Sequence, residues 1–404
     1  MSERFLIKNA TVVLADDVIS GGSVFVESGK ISQVGADVSA DAAVTVLDAQ
    51  GMYLIPGLVD MHTDAIEKEI APRPSADFPA EMALQELDQK MLACGITTVF
   101  HSTYLGYHDD KRGMGSADSR EDFFRMVAEF GKTRSQANTK LHLRFEITGV
   151  ECVDVLRKLI DERVIDLLSF MDHTPGQGQY SRERFLKDEM KKGLTEEQAL
   201  EEFKKRNDVQ KVSQAELKEL AEFARSKGVC TASHDDDTLA KVADMHDLGV
   251  SISEFPITLE AAKEAKSLGM HVLGGSTNFL RGGSLTGNLA MVDAVAEGAL
   301  DGFCSDYYPP SMIHAVFKLW QSGVRNLPES VAMASLNPAI AVGIDGETGS
   351  IAPGKVADML LVEFANGLPK VRHAFVKGKW VHHSGDAFSM LANPTSQSAE
   401  TACC

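Results

Sequence analysis

The chain has 404 residues, 44% of them hydrophobic, which is enough apolar side chain for one large domain and a smaller one. Asp and Glu outnumber Lys and Arg 58 to 40, giving a formal charge of -18, so the general field repels nucleic acid and anionic lipid and neither is expected as a partner. The six cysteines stand singly apart from Cys403-Cys404, which excludes a disulfide framework, and no run of about 18 apolar residues occurs, so a reduced, cytoplasmic protein without a membrane span is expected.

In chain order, residues 1–57 alternate short β-type runs (5–14, 23–27 and 31–35) with turns such as Ser28-Gly29-Lys30, and end near Ile55-Pro56-Gly57. Across residues 58–349, apolar β-type runs recur at 58–62, 97–102, 141–147, 165–173, 229–234, 250–255, 270–274 and 302–306. Longer amphipathic segments separate them, some closed by glycine, as 80–93 is by Cys94-Gly95 and 209–227 by Gly228. This alternation predicts an α/β fold, a TIM-type (β/α)8 barrel, for which about 250 residues is the usual size. The charged stretch 177–214, including Glu201-Glu202-Phe203-Lys204-Lys205-Arg206, reads as a helical excursion with a solvated face. Runs at 358–363 and 371–381, split by Ala365-Asn366-Gly367-Leu368-Pro369, resemble those at the other end of the chain. Segments 1–57 and 350–383 are therefore expected to meet in one small composite β-sandwich. Residues 384–404, rich in Ser, Ala, Asn and Thr, are expected to be disordered.

In such barrels chemistry sits at the carboxyl ends of the strands. There the chain places His62-Thr63-Asp64 on strand one, Glu146 on three, Asp172-His173 on four, His234-Asp235-Asp236-Asp237 on five and Asp306 on eight. Alternation sends His62 and Asp64 to the same side of an extended segment. His62, Asp64, Glu146, His173, His234 and Asp306 make a mixed nitrogen and oxygen donor set suited to divalent ions such as Zn or Mn. Six donors exceed what one zinc takes, so two ions sharing a bridging hydroxide are expected, with Glu146 as the bridging carboxylate and Asp306 as both ligand and general base. Singly, each of these residues is more often a strand-end cap or a solvated rim group; their joint placement carries the reading. The other histidines, including His101 and His108 near the mouth, are read as structural or exposed.

Three stretches, Leu54-Ile55-Pro56-Gly57-Leu58-Val59-Asp60-Met61-His62, Cys94-Gly95-Ile96-Thr97-Thr98-Val99 and Gly349-Ser350-Ile351-Ala352-Pro353-Gly354-Lys355-Val356-Ala357-Asp358, resemble the amidohydrolase superfamily, and the resemblance runs over about residues 5–381. It implies a metal-dependent hydrolase with the same barrel and composite sandwich. Within the superfamily, His62-Thr63-Asp64, Ala71-Pro72-Arg73-Pro74, Met171-Asp172-His173-Thr174-Pro175-Gly176-Gln177, Glu254-Phe255-Pro256, Arg281-Gly282-Gly283-Ser284 and Ser305-Asp306-Tyr307-Tyr308-Pro309 resemble a phosphonate-pathway subgroup. That subgroup cleaves a phosphoanhydride of a ribose 5-triphosphate, and most other members carry His-x-His where this chain has His62-Thr63-Asp64.

The likeness implies a small phosphorylated substrate, with Arg73 and Arg281 as triphosphate contacts and Gln177, Gly282 and Gly283 beside them. Ala65-Ile66, Leu285 and the segment 104–110 depart from the subgroup. The superfamily draws its ligands from strands one, four, five, six and eight, whereas the present count gives one, three, four, five and eight, as if a strand had been missed or fused. Two rival readings stand beside this one: the same metal site acting on a carbon-nitrogen bond of a cyclic amide, an N-acyl amino acid or a nucleobase, and a non-catalytic barrel homologue. A homo-oligomer, by default a dimer, is expected.

Overall fold

The N-terminal strands β1 (Arg4–Val13), β2 (Val18–Glu27) and β3 (Lys30–Gly35) form an antiparallel meander, and β4 (Thr45–Asp48) and β5 (Tyr53–Pro56) run parallel to β1. In this computed structural model the described residues are 4–39, 41, 44–73, 75–106, 117–178, 181–284, 287–385 and 391–392. The chain then enters the barrel through β6 (Leu58–Thr63), β7 (Ile96–Leu105), β8 (Asn138–Glu146), β9 (Leu167–Met171), β10 (Cys230–His234), β11 (Ile252–Glu254), β12 (His271–Gly275) and β13 (Gly302–Cys304). It leaves through β14 (Met359–Ala365), β15 (Leu368–Val376) and β16 (Lys379–His383), which return to the N-terminal sheet; a two-residue β17 (Leu391–Ala392) pairs with β4.

The composite domain is one continuous nine-stranded sheet whose path runs β16-β15-β14-β5-β1-β2-β3, with β4 and β17 branching from β1. One face packs Phe5, Ile7, Val24, Val26, Met359, Leu361 and Phe375 together, while Leu6, Phe25 and Val44 cluster on the other. Its hairpins turn through paired left-handed residues, Ser28-Gly29 (φ 52° and 78°) and Asn366-Gly367 (φ 55° and 79°), the geometry whose twist matches that of the strands. A side chain at Gly29 would also press its Cβ to 2.8 Å from the Lys377 carbonyl oxygen.

The barrel strands follow each other in sequence order, all parallel where paired, and they are the eight runs read from the sequence. No strand was missed or fused, so the six candidate donors do fall on strands one, three, four, five and eight. Strands buried on both faces read as apolar runs because helices cover the outside and side chains fill the inside. Val59, Met61, Phe100, Leu167, Ala232, Ile252 and Leu273 fill the lower interior. Above them the interior turns polar, with Ser102, His142, Ser169 and Glu254 all buried.

The last strand meets the first through an irregular seam. Met333 and Ala334 intervene low down, accepting from Phe303 N (2.7 Å) and Val59 N (2.9 Å). Higher up Asp306 closes the gap directly: its N–H donates to the His62 carbonyl (3.0 Å), and its carbonyl accepts from Asp64 N (2.7 Å) and Thr63 Oγ1 (3.0 Å).

The excursion after β9 is a pair of helices, Arg182–Lys191 and Glu196–Asn207, capped by Ser181 and by a Thr195–Gln198 capping box. Phe185 and Phe203 join them with ring centroids 5.7 Å apart, and Asn207 Nδ2 donates to the Pro175 carbonyl at 2.9 Å, tying the pair to the loop that carries His173. No helix among the described residues is long and apolar enough to cross a membrane. His108, Leu285 and most of the segment 384–404, where disorder is expected, lie outside the described residues.

Asp358 joins the two parts of the fold. Buried between them, it accepts from Asn138 Nδ2 at the start of β8 (2.9 Å), from Thr348 Oγ1 (3.1 Å) and from Lys377 N (2.7 Å). Asp358→Ala leaves these donors unmatched and is expected to lower stability by about 1–3 kcal/mol in urea unfolding; a loss under about 0.5 kcal/mol, the range of ordinary surface changes, would show that the junction does not depend on it.

Candidate metal centre

The strand ends that face the barrel mouth are built to present donors inward. Three residues just past a strand, Asp235, Phe255 and Asp306, hold left-handed backbone (φ 55°, 54° and 57°), a conformation that costs a side-chain-bearing residue of order 1 kcal/mol. Each is compensated by a hydrogen bond to a neighbouring strand: Asp235 N to Glu254 O (3.0 Å), Phe255 N to Leu273 O (2.9 Å) and Asp306 N to His62 O (3.0 Å). Asp64 stands at the N-cap of the short helix Ala65–Ile70, yet its carboxylate makes no cap bond there.

The side chains converge. His62 Nε2 lies 3.6 Å from Asp64 Oδ1, and His62 Nδ1 lies 3.5 Å from Glu254 Oε1. His173 Nδ1 is 2.9 Å from Glu146 Oε2, His173 Nε2 is 3.9 Å from Asp235 Oδ2, and His234 Nδ1 is 3.3 Å from the same Asp235 oxygen. The imidazole of His234 stands between the other two, with ring centroids 5.4 Å from His62 and 6.1 Å from His173. Arg144, on β8, reaches Asp64 Oδ1 at 3.1 Å and Glu67 Oε1 at 3.4 Å.

This donor set fits a divalent cation. Two groups bring their ligand atoms within 4.8 Å of one another: His62 with His234 and Glu254, and His173 with His234 and Asp235. His62 Nδ1, His234 Nδ1, Asp235 Oδ2 and Glu254 Oε1 are all buried and none has a hydrogen-bond partner. Buried polar atoms are normally satisfied, so a cluster of lone pairs without donors marks a place for positive charge. The titration tendencies agree. Burial opposes a charge on His62, yet the carboxylates of Glu254 and Asp64 push its imidazolium up to about 10. Burial also opposes ionisation of Glu254, yet His142 and His62 draw it down to about 2. The acids thus keep a proton on His62 where a metal would otherwise supply the charge. Burial, and then the negative charge of Asp64, raises the Asp306 carboxyl above its ordinary range.

Above these residues opens a cavity of about 320 Å³ lined by His62, Asp64, Arg144, His173, His234, Asp235, Asp306, Tyr307, Arg281 and Gly283, among others. Five of the six donors read from the sequence therefore face one space, and the sixth, Glu146, contacts it through His173. Of the expected substrate residues, Arg281 and Gly283 line the cavity, and Gly282 sits beside them as the left-handed cap of the helix Ser276–Arg281. Arg73 and Gln177 are exposed and are not among the cavity's lining residues.

The sequence reading passed over three groups that the fold brings in: Glu254, Asp235 and Arg144. Glu254 ends strand six just as the chosen acids end their strands, and Arg144 has the same strand parity as Glu146, so strand-end position and alternation pointed to both.

Residues 53–381 match the model of the Amidohydrolase family. The chain is 34% identical to the alpha-D-ribose 1-methylphosphonate 5-triphosphate diphosphatase of Escherichia coli (strain K12) over 382 residues, 93% of this chain and 100% of the relative. It is 24% identical to an imidazolonepropionase of Symbiobacterium thermophilum, over 85% of this chain and 84% of that one. Among solved structures, the dihydropyrimidinase of Brevibacillus agri superposes with a TM-score of 0.64 at 15% identity, covering 94% of this chain and 95% of its own, which is a likeness of fold.

If these donors hold ions, dialysis against a strong chelator is expected to lower the thermal midpoint and added Zn or Mn to restore it, by mass action on the folded state. A midpoint that neither treatment moves would reject the cluster as an ion site.

Proposed function

The chain belongs to the amidohydrolase family, and from that premise we propose that it is a metal-dependent hydrolase cleaving a phosphoanhydride of alpha-D-ribose 1-methylphosphonate 5-triphosphate to release pyrophosphate. The observation that carries this reading is the cavity itself, where two arginines, Arg144 from strand three and Arg281 after strand seven, line the same mouth as the histidines and carboxylates of the candidate donor set. Guanidinium groups on opposite sides of the barrel suit an extended polyanion better than a neutral amide. The full-length likeness to the Escherichia coli diphosphatase supports the same substrate class.

In this reading His62, Asp64, His173, His234 and Asp306 would hold two divalent ions, Zn or Mn, and Glu146 would act on them through His173, which both of its carboxylate oxygens contact. Such ions, when bound, act as Lewis acids and make water a stronger nucleophile at neutral pH. Asp306 takes the proton of the attacking water, a task favoured by a carboxyl whose proton affinity is already raised. Arg144 and Arg281 balance charge on the non-bridging phosphoryl oxygens, which grows on the leaving pyrophosphate. Gly282 and Gly283 leave open space around the backbone beside Arg281, since a Cβ at either would meet nothing within 4 Å, which gives a bulky phosphate room to approach. Arg73 and Gln177, exposed and outside the cavity lining, carry no step of this reading.

Hydrolysis of a carbon-nitrogen bond is the second reading, favoured by the match to an imidazolonepropionase, and it gives Arg281 at the cavity wall no anion to meet. Incubating metal-loaded protein with the ribose triphosphate, ordinary nucleoside triphosphates and a panel of cyclic amides, followed by phosphorus NMR, separates the two. Pyrophosphate release from the ribose triphosphate is expected; amide turnover without phosphate chemistry would overturn the proposal. Asp306→Asn is expected to keep the fold and metal content but lose about 10²–10⁴-fold in kcat, the usual share of a general base. Near-native turnover would remove Asp306 from that role.

A further inference from the structure

Under the mouth a buried polar chain crosses the barrel interior. Glu254 ends the sixth barrel strand; it is fully buried and is not among the cavity's lining residues, whereas His62 is. Its Oε2 accepts a hydrogen bond from Ser169 Oγ on β9 at 2.7 Å, and the same hydroxyl lies 2.5 Å from His142 Nε2 on β8. His142 is in turn held by Ser102 Oγ, 3.0 Å from its Nδ1. The other carboxylate oxygen, Oε1, stands 3.5 Å from His62 Nδ1, and neither atom has a hydrogen-bond partner. Two carboxylates thus address the two nitrogens of one ring, since His62 Nε2 faces Asp64 Oδ1 at 3.6 Å.

A neutral imidazole carries one proton, and only the other nitrogen can bind an ion. We propose that Glu254 is a positioning residue of the metal centre, which takes the His62 Nδ1–H as a hydrogen bond and turns the Nε2 lone pair toward the ion that His62 and Asp64 share. The inference rests on the metal-dependent reading above. Three observations support the assignment: Oε2 is occupied by Ser169, Oε1 is aimed at Nδ1, and the carboxylate lies behind the ring rather than in the cavity. Closing the 3.5 Å gap needs a movement of only about half an ångström to reach hydrogen-bond length. Ser169 and His142 keep the carboxylate from turning away, so they act through Glu254.

The test measures ions rather than turnover. Apoprotein of the full chain, as wild type, Glu254→Ala, Glu254→Gln and Ser169→Ala, is titrated with Zn against a chromophoric chelator, and the Co-substituted forms are compared by absorption. Glu254→Ala is expected to weaken one ion by about 10–100-fold and to shift the Co bands, with the number of ions unchanged. Glu254→Gln recovers part of the loss, because its amide oxygen still accepts from Nδ1–H, and Ser169→Ala shows a smaller loss in the same direction. Should Glu254→Ala fail to fold, the Ser169→Ala and Glu254→Gln titrations carry the test. Affinities within about twofold of wild type overturn the inference, as does an ion that no Zn concentration restores, which would make Glu254 a ligand. A wild type that binds its ions but ignores the ribose triphosphate overturns the substrate reading alone, and a wild type that binds no ion overturns both.

Discussion

The barrel is closed by the same residues that point into its mouth. Asp306 donates its N–H to His62 and accepts at its carbonyl from Asp64 and Thr63, so the junction between first and last strand runs through three of the six candidate donors. Its left-handed backbone costs free energy that these three hydrogen bonds offset. Below, where the strands diverge, Met333 and Ala334 fill the gap with their carbonyls. The position of the site is thus set by the way the sheet closes, with little left to the conformations of the outer loops.

Charge shapes the rest. A protein with a formal charge of -18 gathers still more carboxylates at its mouth, and Arg144 is the cation built most deeply among them, between Asp64 and Glu67. In a partly dry cleft such a cluster is unfavourable until something positive enters. That demand explains why His62 holds its proton so firmly and why the donor atoms around it lack hydrogen bonds. In the proposed reading the same demand would let an acidic protein accept a phosphorylated ligand, since bound divalent ions together with Arg144 and Arg281 would reverse the local sign.

The barrel was legible in the sequence because short runs rich in buried apolar residues recur eight times between amphipathic segments, and His62, Glu146 and His234 stand at the carboxyl ends of three of them. The termini were legible as strands, and their union in a single sheet follows from β5 pairing with β14 just before the chain enters the barrel. Glu254 ends β11, a strand of only three residues, and is followed at once by Phe255, so strand-end position points to it without the polar cluster that marks His62-Thr63-Asp64 or His234-Asp235. Arg144 is less legible than the arginines of the motifs because it rises from within a strand, where a cation reads as a break in the apolar run. Arg73 illustrates the opposite difficulty, since a motif records that a residue is near the site in sequence and says nothing about whether its side chain reaches the cavity.

The seam also imposes an order on biosynthesis. Thr63 and Asp306, which it joins, are 243 residues apart. Contacts of such long range form late, after local helices and hairpins, because the intervening chain must first be collapsed. A nascent chain whose eighth strand has not been made has His62 and Asp64 in hand, but not the partner that aligns them. The donor cluster is therefore complete only after nearly the whole barrel has been synthesised and has closed.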